Sequence, residues 1–140
     1  MKKLIHLCGK HAAAGLAFGL LVFMSLGCGF KSDSEWKREL GGKKLSTAKT
    51  SGSVSDRTDI WFCPSGEYAR RSEFVGVSGD FTHADADVEE GRWTIESGVL
   101  ILKPEGGKTS EYDLSTGTDE DVIYLNGNGY LVERHNKCGR

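Results

Sequence analysis

From Asp59 onward the chain alternates short β-forming runs with breaks rich in glycine and asparagine, and that rhythm leaves few folds open. The runs are DIWFCP, EYARRSEFVG, GRWTIE, VLILKP, TSEYDL, VIYL and YLVER, parted by turns such as PSGE, ESG, EGGK and NGNG. They supply seven strands, and a fainter eighth lies near Lys43 to Thr50. Closely spaced strands with short turns between them pair antiparallel as hairpins. A row of hairpins removes its two exposed edges by closing on itself. The fold class expected is therefore all-β: a small antiparallel up-and-down barrel of about eight strands, its interior filled by side chains or holding one small ligand. Nineteen glycines against two prolines suit a chain made of turns rather than long helices. Alternation assigns the inner face to Ile60, Phe62, Tyr68, Trp93, Ile95, Leu100, Leu102, Tyr112, Leu114, Ile123, Leu125, Tyr130 and Val132.

Residues 1–27 have another character. Lys2, Lys3 and Lys10 precede the uncharged run AAAGLAFGLLVFMSL from Ala12 to Leu26. A charged start followed by an apolar run of this length reads as a signal peptide. A membrane span needs about 20 apolar residues, and a buried helix would show one apolar face rather than an apolar circumference. The run stops at Gly27-Cys28. Ser25-Leu26-Gly27-Cys28 resembles the lipobox of bacterial lipoproteins, with Ser25 where that family prefers leucine. The resemblance implies that Cys28 becomes the first mature residue and carries diacylglycerol and an acyl chain such as palmitate. Ser25 and Gly27 also suit an ordinary signal peptidase cutting at the same bond. Cysteine parity favours lipidation: beyond the signal the thiols are Cys28, Cys63 and Cys138, and acylating Cys28 leaves a pair. Gly29 stands where aspartate signals inner-membrane retention in enteric-type lipoproteins, which points to the outer membrane.

The remaining chain divides into a lipidated tether with a short helix, 28–42, and a barrel domain, 43–140. In the tether, Ser32 and Glu35 have capping-box spacing. Trp36 and Leu40 share a helix face, and Gly41-Gly42 ends the helix. Trp36 reads as a hydrophobic latch on the barrel. LSTAKTSGSVSDRT reads as at most one strand followed by a loop, and residues 76–90 as a long polar loop. Without Lys2, Lys3 and Lys10, 15 basic residues face 20 acidic ones, a formal charge of −5. That balance, with no basic stripe, argues against a nucleic-acid partner.

The order WKRELGG, FCPSGEY, GRWTIESGVLIL, EYDL and VIYLNGNGYLVER resembles small lipocalin-like domains of secreted bacterial proteins. Leu40 with Gly42, Phe62 with Gly66 and Tyr68, Gly91 with Trp93, Leu100 with Leu102, and Leu125 with Gly127 and Tyr130 carry the likeness. Lys43 stands where many members place a tryptophan. The resemblance implies a fold and no activity.

Cys63 and Cys138 read as a structural disulfide in an exported chain; two free thiols or a redox or metal role are the alternatives. The pair is not C-x-x-C. His83, Asp85, Asp87 and Glu89 recur at every second residue and would share a face of a strand. They read as a solvated loop, with a weak Ca²⁺ or Zn²⁺ site at His83, Asp85 and Asp87 as the alternative. Glu67, Arg70, Arg71 and Glu73 read as a surface ion-pair ladder, with an in-pointing arginine, Arg70 or Arg71, as a cation for an anionic head group the alternative. Ser65 lies in a plain Pro-Ser-Gly turn without the G-x-S-x-G elbow, and His135 has no evident partner. No catalytic residue and no cofactor is indicated. The function expected is a non-catalytic, lipid-anchored envelope module for a small hydrophobic ligand or an envelope protein. The alternatives are an accessory or inhibitor protein acting through loop 76–90, and a metal-dependent enzyme built on His83 with Asp85 or Asp87.

Overall fold

The computed structural model describes residues 31–138. The signal peptide expected over 1–27 and the lipidation expected at Cys28 lie outside the described residues. The helix α1 (Asp33–Leu40) leads into eight strands: β1 (Lys43–Ser51), β2 (Val54–Phe62), β3 (Glu67–Ser78), β4 (Phe81–Glu96), β5 (Val99–Pro104), β6 (Ser110–Thr116), β7 (Val122–Leu125) and β8 (Asn128–Arg134). Each strand pairs antiparallel with the next, and β1 pairs with β8, so the sheet is a closed up-and-down barrel. The expected fold class is the one observed. Each inner-face residue assigned by alternation is buried in the core or packed against it.

Two expectations about connections are corrected. Val54 to Thr58 belong to β2 rather than to a loop, with β1 and β2 joined through Gly52 at φ +60°. Residues 76–90 are no loop either. They form half of the β3–β4 hairpin, which turns at Gly79 with φ +61°. The register runs unbroken from Ser78↔Phe81 to Glu67↔Arg92. Polar residues fill most of the inner positions in both stretches, Asp56 and Thr58 in one and His83, Asp85, Asp87 and Glu89 in the other. Their strand character comes from backbone pairing, which apolar periodicity does not report.

The barrel has a closed end and an open one. At the closed end, Ser32 caps α1, its Oγ accepting from the Glu35 amide while the Glu35 carboxylate accepts from the Ser32 amide at 2.7 Å. The helix seals that end with Trp36 and Leu40, 4% and 0% exposed. Asp33 fixes its position: the carboxylate accepts the Ser97 and Gly98 amides of the β4–β5 turn, each at 2.8 Å. Above the helix, Phe62 and Trp93 meet edge to face with ring centres 5.2 Å apart. The Trp93 Nε1–H donates to the Cys63 carbonyl at 2.9 Å, satisfying the one polar atom of a buried indole.

The wall is uneven. Strands β1 to β4 have 9, 9, 12 and 16 residues, against 6, 7, 4 and 7 for β5 to β8. Strand β4 pairs with β5 only over Gly91 to Glu96, and β1 with β8 only over Lys43 to Ser46. Beyond those points β1 to β4 rise past the barrel rim as a four-stranded blade.

Candidate functional site

Register places the inward side chains of β1 to β4 in rows. Lowest is Phe62 with Tyr68 and Gly91; next come Leu45, Ile60, Arg70 and Glu89. Above them lie Thr47, Thr58, Ser72 and Asp87, then Lys49, Asp56, Phe74 and Asp85. The inner face thus changes from apolar to polar within one row. The rows above the change line a cavity of about 370 Å³ at the open mouth.

The change is carried by a hydrogen-bonded cluster. Tyr68 Oη donates to Glu89 Oε1 at 2.6 Å, Arg70 Nη2 to Glu89 Oε2 at 3.2 Å and Arg70 Nη1 to Tyr112 Oη at 3.3 Å. One carboxylate, one guanidinium and two phenols satisfy one another where water ends and the core begins, as buried polar groups must. Burial, then the hydrogen bond to the Glu89 carboxylate, pushes the Tyr68 hydroxyl well above its ordinary value. Tyr130 is pushed up by burial first and by Tyr112 second.

The other sequence candidates fall as follows. Arg70 does point inward, yet its charge is met by Glu89, so the head-group reading of that arginine loses its free cation. Arg71 and Glu73 form an ion pair on the outer face. His83, Asp85, Asp87 and Glu89 share the inner face of β4, as their spacing requires. Only Glu89 belongs to the cluster, and among the described residues no group of three or more His, Cys, Asp or Glu is gathered as for a metal ion. Ser65 is exposed and donates to Glu67 at 3.3 Å. Cys63 and Cys138 form a disulfide, with Cα atoms 5.4 Å apart. His135 has partners that its sequence context hid: its ring lies 3.2 Å from the Phe62 carbonyl, and its amide donates to the Gly42 carbonyl.

The outer face of the blade is unusual in what it exposes. Val75, Val77 and Val88 are 38%, 45% and 63% exposed, and Phe74 at the mouth is 41% exposed. Ala84 and Ala86 are exposed beside them on β4. Sequence reading missed this patch because it placed residues 76–90 in a loop, where alternation carries no meaning.

Fold and site together define a class: a small closed β-barrel, filled and helix-capped at one end and extended at the other into an exposed hairpin blade. No protein-family model matches the chain, and no curated protein is significantly similar to it. Among the described residues, no helix is long and apolar enough to cross a membrane.

Proposed function

We propose that this protein is a lipid-anchored, non-catalytic binding module of the bacterial cell envelope that contacts another envelope protein through its β3–β4 hairpin. The observation that carries the reading is the contrast between interior and blade. Nine large side chains of the interior and the capping helix are fully buried, leaving the lower barrel packed. Among the described residues, four of the five exposed large apolar side chains gather instead on β3 and β4, the fifth being Leu131 on β8. A packed interior with an exposed apolar patch favours protein contact over a small hydrophobic ligand.

The lipid anchor at Cys28 belongs to the same proposal, resting on the lipobox-like Ser25-Leu26-Gly27-Cys28 and on the pairing of the other two cysteines, and so does the outer-membrane location, resting on Gly29. The few residues between Cys28 and Asp33 reach at most about 18 Å. An anchor there holds the helix-capped end to the bilayer and turns the blade away from it.

The test is photocrosslinking in intact cells, with a photoreactive residue at Val77 or Val88 and a control at exposed Lys103. Discrete protein adducts at the first two positions alone support the reading. Adducts with lipid only, or an apolar molecule released from the gently extracted protein, overturn it. Mass spectrometry of the same material reads the acyl mass on Cys28.

A further inference from the structure

The rising half of β4 has a partner on one side only. From Thr82 to Val88 its residues pair with β3 alone, because β5 joins β4 only from Gly91 onward. The amide of Glu105 donates to the Glu90 carbonyl at 2.9 Å, which fixes the parity of the side facing β5. In an antiparallel strand the outward groups recur at every second residue. The N–H and C=O groups of Thr82, Ala84, Ala86 and Val88 therefore face the open side, and no described residue bonds them. Residues Thr82 to Val88 are all exposed. Where β5 departs, a groove of about 480 Å³ continues the line, bordered by Asp87, Val88, Glu90 and Glu105.

An unpaired, accessible edge is a template for another strand, and charge selects which one. On the inner face Asp85 and Asp87 take part in no ion pair among the described residues. Glu90 and Glu105 add negative charge in the groove. On the outer face the same edge shows Ala84, Ala86 and Val88. A second copy pairing edge to edge would set these aspartates against their own kind, and like charges directly opposite are destabilising. The corresponding edge of β1 above Ser46 is shorter, and Lys49 ties it to Asn128 at 2.9 Å.

We infer that the free edge of β4 receives an extended segment of a partner protein in which lysine or arginine alternates with apolar residues. Its cations lie beside Asp85 and Asp87, its apolar residues beside Ala84, Ala86 and Val88, and its backbone extends the sheet by one strand. This deepens the proposed protein contact and rests on it.

The experiment uses the purified, isotope-labelled full chain in mild detergent and two capped peptides of about seven residues, a common strand length. One alternates lysine with valine, the other glutamate with valine. The lysine peptide binds and protects the amides of Thr82, Ala84, Ala86 and Val88 from hydrogen exchange; the glutamate peptide does not. Ala86→Pro removes an outward N–H without breaking the β3 ladder, as proline does on an edge strand. It weakens binding at least about tenfold while thermal unfolding stays unchanged, on the order expected for losing backbone pairing. The double variant Asp85→Lys with Asp87→Lys reverses the preference to the glutamate peptide. Equal binding of both peptides, protection elsewhere, or binding indifferent to Ala86→Pro overturns the inference. So does self-association of the chain that Ala86→Pro abolishes. If crosslinks form at Val77 and Val88 while the lysine peptide fails, the protein contact stands and strand addition falls.

Discussion

Gly91 stands where β4 passes from the blade into the barrel and lies closest to β5. A Cβ built there would fall 2.1 Å from the Lys103 carbonyl oxygen and 2.6 Å from the Pro104 Cα. Both are backbone atoms, so no rotamer change relieves the clash. Gly91→Ala is expected to cost about 2 kcal/mol or more, the upper part of the range for overpacking, read as a lower urea midpoint. An unchanged midpoint would show that the two strands part freely. Tyr68 tests the polar layer next to it. A tyrosine whose pKa is raised by folding contributes stability that is complete below the unfolded value, about 10, and is lost as pH rises through the folded value. Tyr68→Phe should lower stability at neutral pH by about 1.5–3 kcal/mol, for a hydrogen bond to a charged acceptor. It should also remove part of the wild-type loss of stability above about pH 10. Urea titrations from neutral to alkaline pH decide it: parallel curves for the two proteins would mean that neither burial nor the Glu89 bond raises Tyr68.

At the scale of elements, α1 and the blade show what can be read from a sequence like this one. The helix was legible in full. Ser32 with Glu35 marked its start, Trp36 with Leu40 its buried face and Gly41-Gly42 its end, and each holds this place in the structure. Trp36→Ala should cost about 3–5 kcal/mol, the range for emptying a buried aromatic site. Denaturant melts check this, and a loss below about 1 kcal/mol, far under that range, would mean that the helix covers the barrel end without sealing it. Glu35 adds a dependence on acid. The Ser32 backbone N–H, the largest cause, holds its pKa below the ordinary glutamate value of 4.5. Its contribution is therefore complete above that value and fades as pH falls through the folded one. The blade was only half legible. The spacing of His83, Asp85, Asp87 and Glu89 correctly set them on one face, but a wet inner face offers no apolar period. Edge pairing, the inward Arg70–Glu89 contact and the outward Val75, Val77 and Val88 depend on register with β3, which no single strand encodes.

At the scale of the whole molecule, the question is what keeps the barrel shut. The closing seam, β1 with β8, has four paired positions, from Lys43↔Arg134 to Ser46↔Leu131. Lys44 and Glu133 form an ion pair across it, and exposed pairs of that kind contribute little. Strand β8 runs directly into the tail, whose Cys138 is bonded to Cys63 just past the end of β2. The bond thus ties the chain beyond β8 to the strand on the far side of β1 and spans the seam. With its cysteines 75 positions apart in sequence, it should contribute roughly 4 kcal/mol by restricting the unfolded chain. Replacing both cysteines by serine should lower global stability by up to that amount, and the loss should also have a location. Hydrogen exchange in the double variant should quicken first at paired residues of the seam, among them Leu45 and Val132, while the β3–β4 ladder keeps its relative protection. The opposite order, with the hairpin opening first and the seam unaffected, would show that β1 and β8 hold each other through backbone pairing and core contact alone, and that the disulfide secures the tail without securing the barrel.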